Sequence, residues 1–384
     1  MEEQIPHFKT HICYVSAESM PNLLLCLDPA LKPEKVYLLT SKEMVNNGKY
    51  GVLAQNFRNL GVQVERKELQ DISLFSLQRV IEDFINALPD EAMTEFAFNI
   101  TCGTKLMTMA AVSACNQCIE MFYVDTSNSK LFLLKEKKEY ALSNFCNVQT
   151  ILNSYGFRIV NKTQTKREHG KIIQILLNQR IGTIKILNAL SARAKESKIS
   201  KIEKMTPELD ELLVKCEEAK LLERQGDTLI FADEDSRSFC NGIWLEEYVY
   251  QTLAQLELNK QIADYEGAVE IIYADRVVSN SDAKPDNELD ALFVRENILY
   301  LVECKTCRMN DDKKSRDIMY KLDSLHNKIG GVFGRGILIS LESLSENERK
   351  HAQKNNLIVI DDIQKIKNLR KALIEIFENE KRKK

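Results

Sequence analysis

The chain has 384 residues, 44% apolar and 28% charged, with a net charge of −3. These totals describe a globular protein of two domains and a smaller third unit, and exclude a chain-wide nucleic-acid signature. No apolar run approaches the roughly 18–20 residues that span a bilayer. The N-terminus MEEQIPHFKT lacks a signal-peptide pattern. With ten cysteines read as reduced thiols, the expected location is cytoplasmic, away from the membrane.

Strand and helix signals alternate over residues 1–150. Strands are expected at His11–Ser16, Lys35–Thr40, over VQVERKEL, at Glu95–Ile100, and over EMFYVDT and KLFLL. Helices are expected near Met20–Leu31, through Leu53–Leu60, over Leu74–Leu88 and over KLMTMAAVSACNQC. Such alternation predicts a mostly parallel, doubly wound α/β sheet. Ligands of such sheets bind beyond the carboxyl ends of the strands.

Residues 151–236 read as a basic helical linker. From Arg158 to Lys204, twelve Lys and Arg face three Asp and Glu, an excess that can meet phosphates or simply form a solvated face. The segment closes in LLERQGDTLIFA, a helix end, a turn at Gly226-Asp227 and a short strand, so the expectation is a winged-helix-like unit or a structural spacer between the two larger domains. Residues 237–384 form a second α/β domain. GIWLEEYVYQTLAQL is a helix, followed by strands over AVEIIYADRVV, NELDALFV and NILYLVECKT. A helix near Asp312–Leu325, the glycine-rich IGGVFGRG, a strand ILIS, a helix ENERKHAQKNN, a strand LIVID and a helix Ile363–Phe377 complete it.

The hairpin Leu289–Thr306, turning at Arg295–Asn297, carries charges where a core strand should be buried. Alternation puts Leu301, Glu303 and Lys305 on one face of their strand, and Asp290, Leu292 and Val294 on one face of theirs. Pairing then gathers Asp290, Glu303 and Lys305 at one end of the sheet. Unpaired, such charges cost on the order of several kcal/mol. A divalent cation held by Asp290, Glu303 and the Cys304 carbonyl would neutralise the carboxylates, and Mg²⁺ or Mn²⁺ suits oxygen ligands. This geometry suits phosphodiester hydrolysis, with Lys305 holding a water or stabilising charge on the phosphate. In the preceding helix Glu246 aligns with Val249, Tyr250 and Leu253 on the packing stripe and is the expected fourth acid; Glu247 is the alternative. The opposing reading is a surface Glu303–Lys305 salt bridge, against which the flanking apolar run argues.

Asp290, Glu303-Cys304-Lys305 and the helical Glu246 resemble the PD-(D/E)XK pattern of restriction-endonuclease-like nucleases, with Leu289-Asp290 in place of the usual Pro-Asp. A second stretch, FNITCGTKLMTMAA (Phe98–Ala111), ends a strand in a small, hydroxyl-rich turn that opens a helix. Free N–H groups and the helix dipole suit phosphate there, with Thr101, Cys102, Gly103, Thr104 and Lys105 at the turn. NITCGTKLM is similar to the signature of CRISPR-associated Rossmann-like (CARF) sensor domains, with Cys102 where a small residue, often glycine, is usual. The other strand exits at the same edge are Ser16, Ala17, Glu18, Ser19 and Met20, and Thr40 with Ser41.

Together the two signatures resemble the ancillary nucleases of type III CRISPR systems. The resemblance implies a homodimer with a cyclic oligoadenylate at its twofold axis, cyclic tetra-adenylate as activator, Mn²⁺ or Mg²⁺ as cofactor, and a DNA or RNA substrate. The alternative is a cyclic-nucleotide-responsive, DNA-binding transcription regulator whose rear domain is a degenerate nuclease scaffold. Two CxxC pairs, Cys115–Cys118 and Cys304–Cys307, do not lead to a zinc site. The first lies on an apolar helix and the second straddles the charged strand.

Overall fold

The computed structural model describes residues 5–383 except 71, 89, 116–118, 144–145, 163–168, 196, 274–283 and 307–311. Cys118, Cys307 and the end of the expected strand over AVEIIYADRVV lie outside the described residues.

The first domain is built on β1 (Thr10–Tyr14), β2 (Lys35–Ser41), β3 (Gln63–Leu69), β4 (Phe96–Asn99), β5 (Glu120–Asp125), β6 (Lys130–Leu133) and β7 (Lys138–Ala141). The sheet order is β3-β2-β1-β4-β5-β6-β7. Pairing is parallel from β3 to β5 and antiparallel beyond. Every residue of β1 and β4 is buried, as central parallel strands covered on both faces require. The order reverses between β1 and β4, the switch point at which doubly wound sheets open a ligand crevice.

Three local expectations are corrected. LLER, expected as a helix end, runs into the strand Leu222–Gln225, the helix before it having stopped at Glu218. The helix over Met20–Leu31 is a short α-turn at Met20–Leu23 followed by a 3₁₀ turn at Leu24–Leu27. Pro29 disfavours helical geometry in the residue before it, and Asp28 is extended at φ −90°, ψ 118°. The last helix divides into Ile363–Lys367 and Leu369–Lys383. The strand β7, absent from the sequence reading, buries only Tyr140, too little for a recognisable alternation.

In the middle of the chain, β8 (Phe157–Lys162) leaves the basic segment and pairs with the C-terminal sheet. The remainder has helices Gly170–Asn178, Ile181–Arg193 and Pro207–Glu218. These accompany a small antiparallel sheet of β9 (Ile199–Lys201), β10 (Leu222–Gln225) and β11 (Thr228–Phe231). Its basic residues are partly neutralised, mostly from within: Arg180 pairs with Glu208, Arg193 with Glu203 and Lys201 with Asp227, while Lys185 pairs with Glu342 of the C-terminal domain.

The C-terminal sheet contains β12 (Asp264–Tyr273), β13 (Asn287–Arg295), β14 (Ile298–Lys305), β15 (Arg335–Ser340) and β16 (Ile358–Ile360), in the order β16-β15-β14-β13-β12-β8. The β13–β14 turn holds Glu296 and Asn297 at φ 50° and 61°, the left-handed pair of a tight hairpin turn. Asn297 is buried. It donates to the Ser143 carbonyl at 3.1 Å and accepts the Cys146 N–H at 3.2 Å, docking the hairpin tip on the first domain.

Two apolar clusters flank this sheet. One joins Ala291, Tyr300, Val302 and Cys304 to the helix Trp244–Leu258 and the middle unit. The other joins Leu289, Leu292 and Leu301 to Met20, Leu24 and Phe122 of the first domain. The second sheet is therefore held between the other two parts of the chain.

Candidate functional site

The charged end of β14 lies where ladder pairing stops. β13 and β14 pair from Arg295 opposite Ile298 to Ala291 opposite Val302. One step further, the Cys304 N–H donates not to a backbone carbonyl but to Asp290 Oδ2, at 2.7 Å. Lys305 Nζ lies 2.5 Å from Glu303 Oε1, with the two side chains 30% and 17% exposed. On the other side β14 runs parallel to β15, placing Lys305 opposite Ser340. A cavity of about 240 Å³ opens beside Ser340, between Ile181 and the loop Glu342–Ser345.

Electrostatics bind these residues into one group. Burial and the Asp290 carboxylate push Glu246 up to about 9. Burial and Glu303 push Asp290 up to about 7, against the pull of Lys305 and the Cys304 amide. Burial works against the Lys305 ammonium, but Glu303 and Asp290 outweigh it and hold its pKa above the ordinary value. Glu247 points elsewhere, lying 3.0 Å from His169 Nδ1, so of the two helical acids Glu246 is the one turned to the cluster. Glu288, missed in the sequence, adds to the repulsion on both Glu246 and Asp290. Its signal was present: in NELD it stands two positions before Asp290, on the same side of an alternating strand.

Carboxyls raised by burial and mutual repulsion are relieved by a cation. Among the described residues, no three His, Cys, Asp or Glu side chains form a ready-made cage. The available set is two carboxylates, Asp290 and Glu303, with the Cys304 carbonyl. An all-oxygen, incomplete set fits Mg²⁺ or Mn²⁺, which retain waters, better than zinc.

At the first sheet's edge, the expected contacts divide into struts and rim. The Thr101 hydroxyl accepts the Val124 N–H at 2.8 Å, and its own N–H donates to Asn99 Oδ1 at 3.0 Å. The Cys102 thiol, pushed up to about 12 by burial, donates to the Glu18 carbonyl at 3.3 Å and ties the β4 exit to the β1 exit. Ser16 Oγ accepts the Glu18 N–H, Ser41 Oγ caps the helix Lys42–Asn46, and Ser19, Met20 and Thr40 are buried. Ala17, Gly103, Thr104 and Lys105 are exposed. Gly103 holds φ +96° as the chain enters the helix Lys105–Cys115, and Thr104 Oγ1 accepts the Met107 N–H. Asn99, not anticipated, donates to the Pro21 carbonyl and to Asn22 Oδ1, bridging the switch point.

Glu18 links this edge to the other domain. Its Oε2 accepts the Tyr155 hydroxyl at 2.9 Å, and its Oε1 accepts the Val332 N–H at 3.2 Å. Val332 lies in the turn Gly331–Phe333 that leads into β15. A Cβ on Gly331 would stand 2.1 Å from the Tyr155 hydroxyl and 2.3 Å from Glu18 Oε2, so only glycine permits this approach.

A doubly wound domain with a small-residue turn at its switch point, joined to a sheet bearing Asp and Glu-x-Lys at a strand end, defines a nucleotide-sensor and nuclease fusion. Family models agree. Residues 10–151 match the Card1 CARF domain, and residues 233–380 match the Card1-like endonuclease domain. The chain thus joins a CARF domain to a Card1-like endonuclease domain.

Solved structures share the whole fold. Can2 from Sulfobacillus thermosulfidooxidans, solved with cyclic tetra-adenylate, aligns at TM-score 0.78 and 24% identity over 95% of this chain and 98% of its own. VC1899 from Vibrio cholerae aligns at 0.82 and 21% over 97% and 98%. A type III CRISPR defence DNA nuclease activated by cyclic oligoadenylate aligns at 0.54 and 18%, over 92% of this chain and 53% of its own. No curated protein matches the chain significantly. No helix among the described residues is long and apolar enough to cross a membrane.

Proposed function

We propose that the protein is a metal-dependent endonuclease switched on by cyclic tetra-adenylate, cleaving DNA or RNA, single strands foremost, in type III CRISPR defence. The observation that carries this reading is the cluster of Glu246, Asp290, Glu303 and Lys305 at the end of a buried strand. Asp290, Glu303 and the Cys304 carbonyl would hold Mn²⁺ or Mg²⁺. The ion, when bound, polarises the phosphate and acidifies a water. Lys305 Nζ, beside Glu303 at the strand end, would face the scissile phosphate and stabilise the charge that develops there. Glu246 adds an acid beside Asp290.

The activator seats on the exposed rim of Gly103, Thr104 and Lys105, where helix N–H groups and a lysine suit phosphate. The adjoining helix exposes Leu106, Met109 and Val112 at 47%, 56% and 43%. A second copy covering that apolar face makes the cytoplasmic homodimer. Glu18 carries the signal: a ligand at the β1 and β4 exits shifts the residue to which Tyr155 and Val332 are bonded.

The test is incubation with single-stranded DNA, single-stranded RNA and plasmid, with Mn²⁺, with and without cyclic tetra-adenylate. Cleavage requiring both additions is expected. Sequence-specific retention without cleavage would favour a transcription regulator instead.

A further inference from the structure

The ladder that carries the acidic cluster runs out where the lysine must be held. Beyond Ala291 opposite Val302, the Cys304 amide of β14 donates to the Asp290 side chain of β13. On the other side, β15 continues to Ser340, and the Leu341 N–H donates to the Lys305 carbonyl at 2.9 Å. The next residue, Thr306, is buried, and its side chain is enclosed by elements outside the sheet. Asn188, buried on the middle unit's Ile181–Arg193 helix, donates from Nδ2 to Thr306 Oγ1 at 3.0 Å. From another element, Gly242 approaches so closely that a Cβ would stand 2.5 Å from Thr306 Oγ1. Gly242 takes φ +129° in the kink Phe239–Ile243, which leads directly into the Glu246 helix. The middle unit meets the kink and the residue pair just before it. Arg237 Nη1 donates to the Ser191 carbonyl at 3.0 Å, and His169 packs on Phe239 with ring centroids 4.3 Å apart.

We infer that Thr306 and Asn188 are positioning residues for the nuclease site, and that the middle unit is part of that site's frame rather than a spacer. This rests on the nuclease reading of the Asp290–Lys305 cluster. A strand end with a ladder partner on one side only opens easily. The Asn188–Thr306 bond closes it one residue after Lys305 and three after Glu303. Because Thr306 also meets Gly242, one junction sets the Lys305 strand and the Glu246 helix against each other. A displacement of about 1 Å in such a constellation costs on the order of 10²-fold in rate. Any shift of the Ile181–Arg193 helix is passed to both.

The experiment compares Thr306→Val, which keeps the shape and removes the hydroxyl, with Thr306→Ser, which keeps the hydroxyl. Full-length protein is assayed on single-stranded DNA with Mn²⁺ and cyclic tetra-adenylate. Thr306→Val is expected to lose about tenfold or more in turnover at unchanged KM for the nucleic acid. Thr306→Ser stays near wild type, and Asn188→Ala follows Thr306→Val. A second readout needs no activity: hydrogen exchange of the Leu341 amide quickens in Thr306→Val and not in Thr306→Ser. Wild-type turnover and unchanged Leu341 exchange in Thr306→Val overturn the inference. So does equal loss in both variants in step with their melting temperatures. Absence of cleavage by the wild type would count against the nuclease reading, and Leu341 exchange would still decide the anchoring.

Discussion

The carboxylate of Glu18 accepts the backbone N–H of Val332, 314 residues further along the chain, at 3.2 Å. One residue therefore belongs both to the turn after β1 and to the hydrogen bonding of the turn that starts β15. A contact made in only one arrangement of the domains biases the equilibrium between arrangements by its own free energy.

Tyr155→Phe removes the hydroxyl that Glu18 accepts and leaves the ring in its buried place. If the Glu18 contact belongs to the resting state, cleavage without ligand rises. The cyclic tetra-adenylate concentration for half-activation falls by the same factor. A single hydrogen bond to a carboxylate, about 1.5–3 kcal/mol, sets that factor at roughly ten- to 150-fold. Dose–response curves of cleavage measure both, and two unchanged values would remove the contact from the switch.

Lys305→Ala and Glu303→Gln should each reduce cleavage by about 10²-fold or more, since the first removes the positive charge facing the phosphate and the second a carboxylate that would hold the metal ion. Ligand binding at the distant sensor turn should be untouched. Calorimetric titration with cyclic tetra-adenylate separates the two effects, and full cleavage by either variant would sink the site assignment.

The raised acids make a stability prediction for the metal-free protein. A carboxyl whose folded pKa lies above its unfolded value binds more protons when folded, so stability falls as pH rises through that interval. For Asp290 the interval runs from its ordinary 3.8 to about 7, and for Glu246 from 4.5 to about 9. Above this range the charged cluster opposes the fold. Asp290→Asn should therefore melt higher than wild type at pH 8, by roughly 2–4 °C for each kcal/mol relieved. Mn²⁺ should stabilise the wild type and leave the variant nearly unmoved. A variant that melts lower at pH 8, yet higher at pH 4, would reverse the sign argued here.

Met109→Glu places a charge on the exposed apolar face of the helix Lys105–Cys115. Light scattering is expected to report a dimer for the wild type and a monomer for the variant. A variant that remains dimeric would locate the interface elsewhere.

Much of the site could be read from the chain because its chemistry is local in sequence. Strand alternation has period two, so Asp290, Glu303 and Lys305 could be assigned to one sheet end without coordinates. Helical phase separates Glu246 from Glu247 by only 100° or so, which left that choice open. The contact that favours Glu246 comes from outside the helix, where His169 bonds Glu247. The sensor turn was similarly visible as a strand-to-helix junction. Its division into struts and rim was not, because the polar atoms of Thr101 and Cys102 are used by Val124 and Glu18, on other strands or their exits.

The sequence by itself determined the two α/β domains, the order of most elements and the residues able to do chemistry at their ends. Periodicity and turn composition act over a few residues and survive without context. Only the tertiary structure decided that β8 leaves the basic segment for the second sheet, that Glu18 meets Val332 and that Asn188 closes on Thr306. Each is a pairing between elements far apart in the chain. Its energy comes from burying two surfaces against each other, and neither surface alone carries the pattern of its partner.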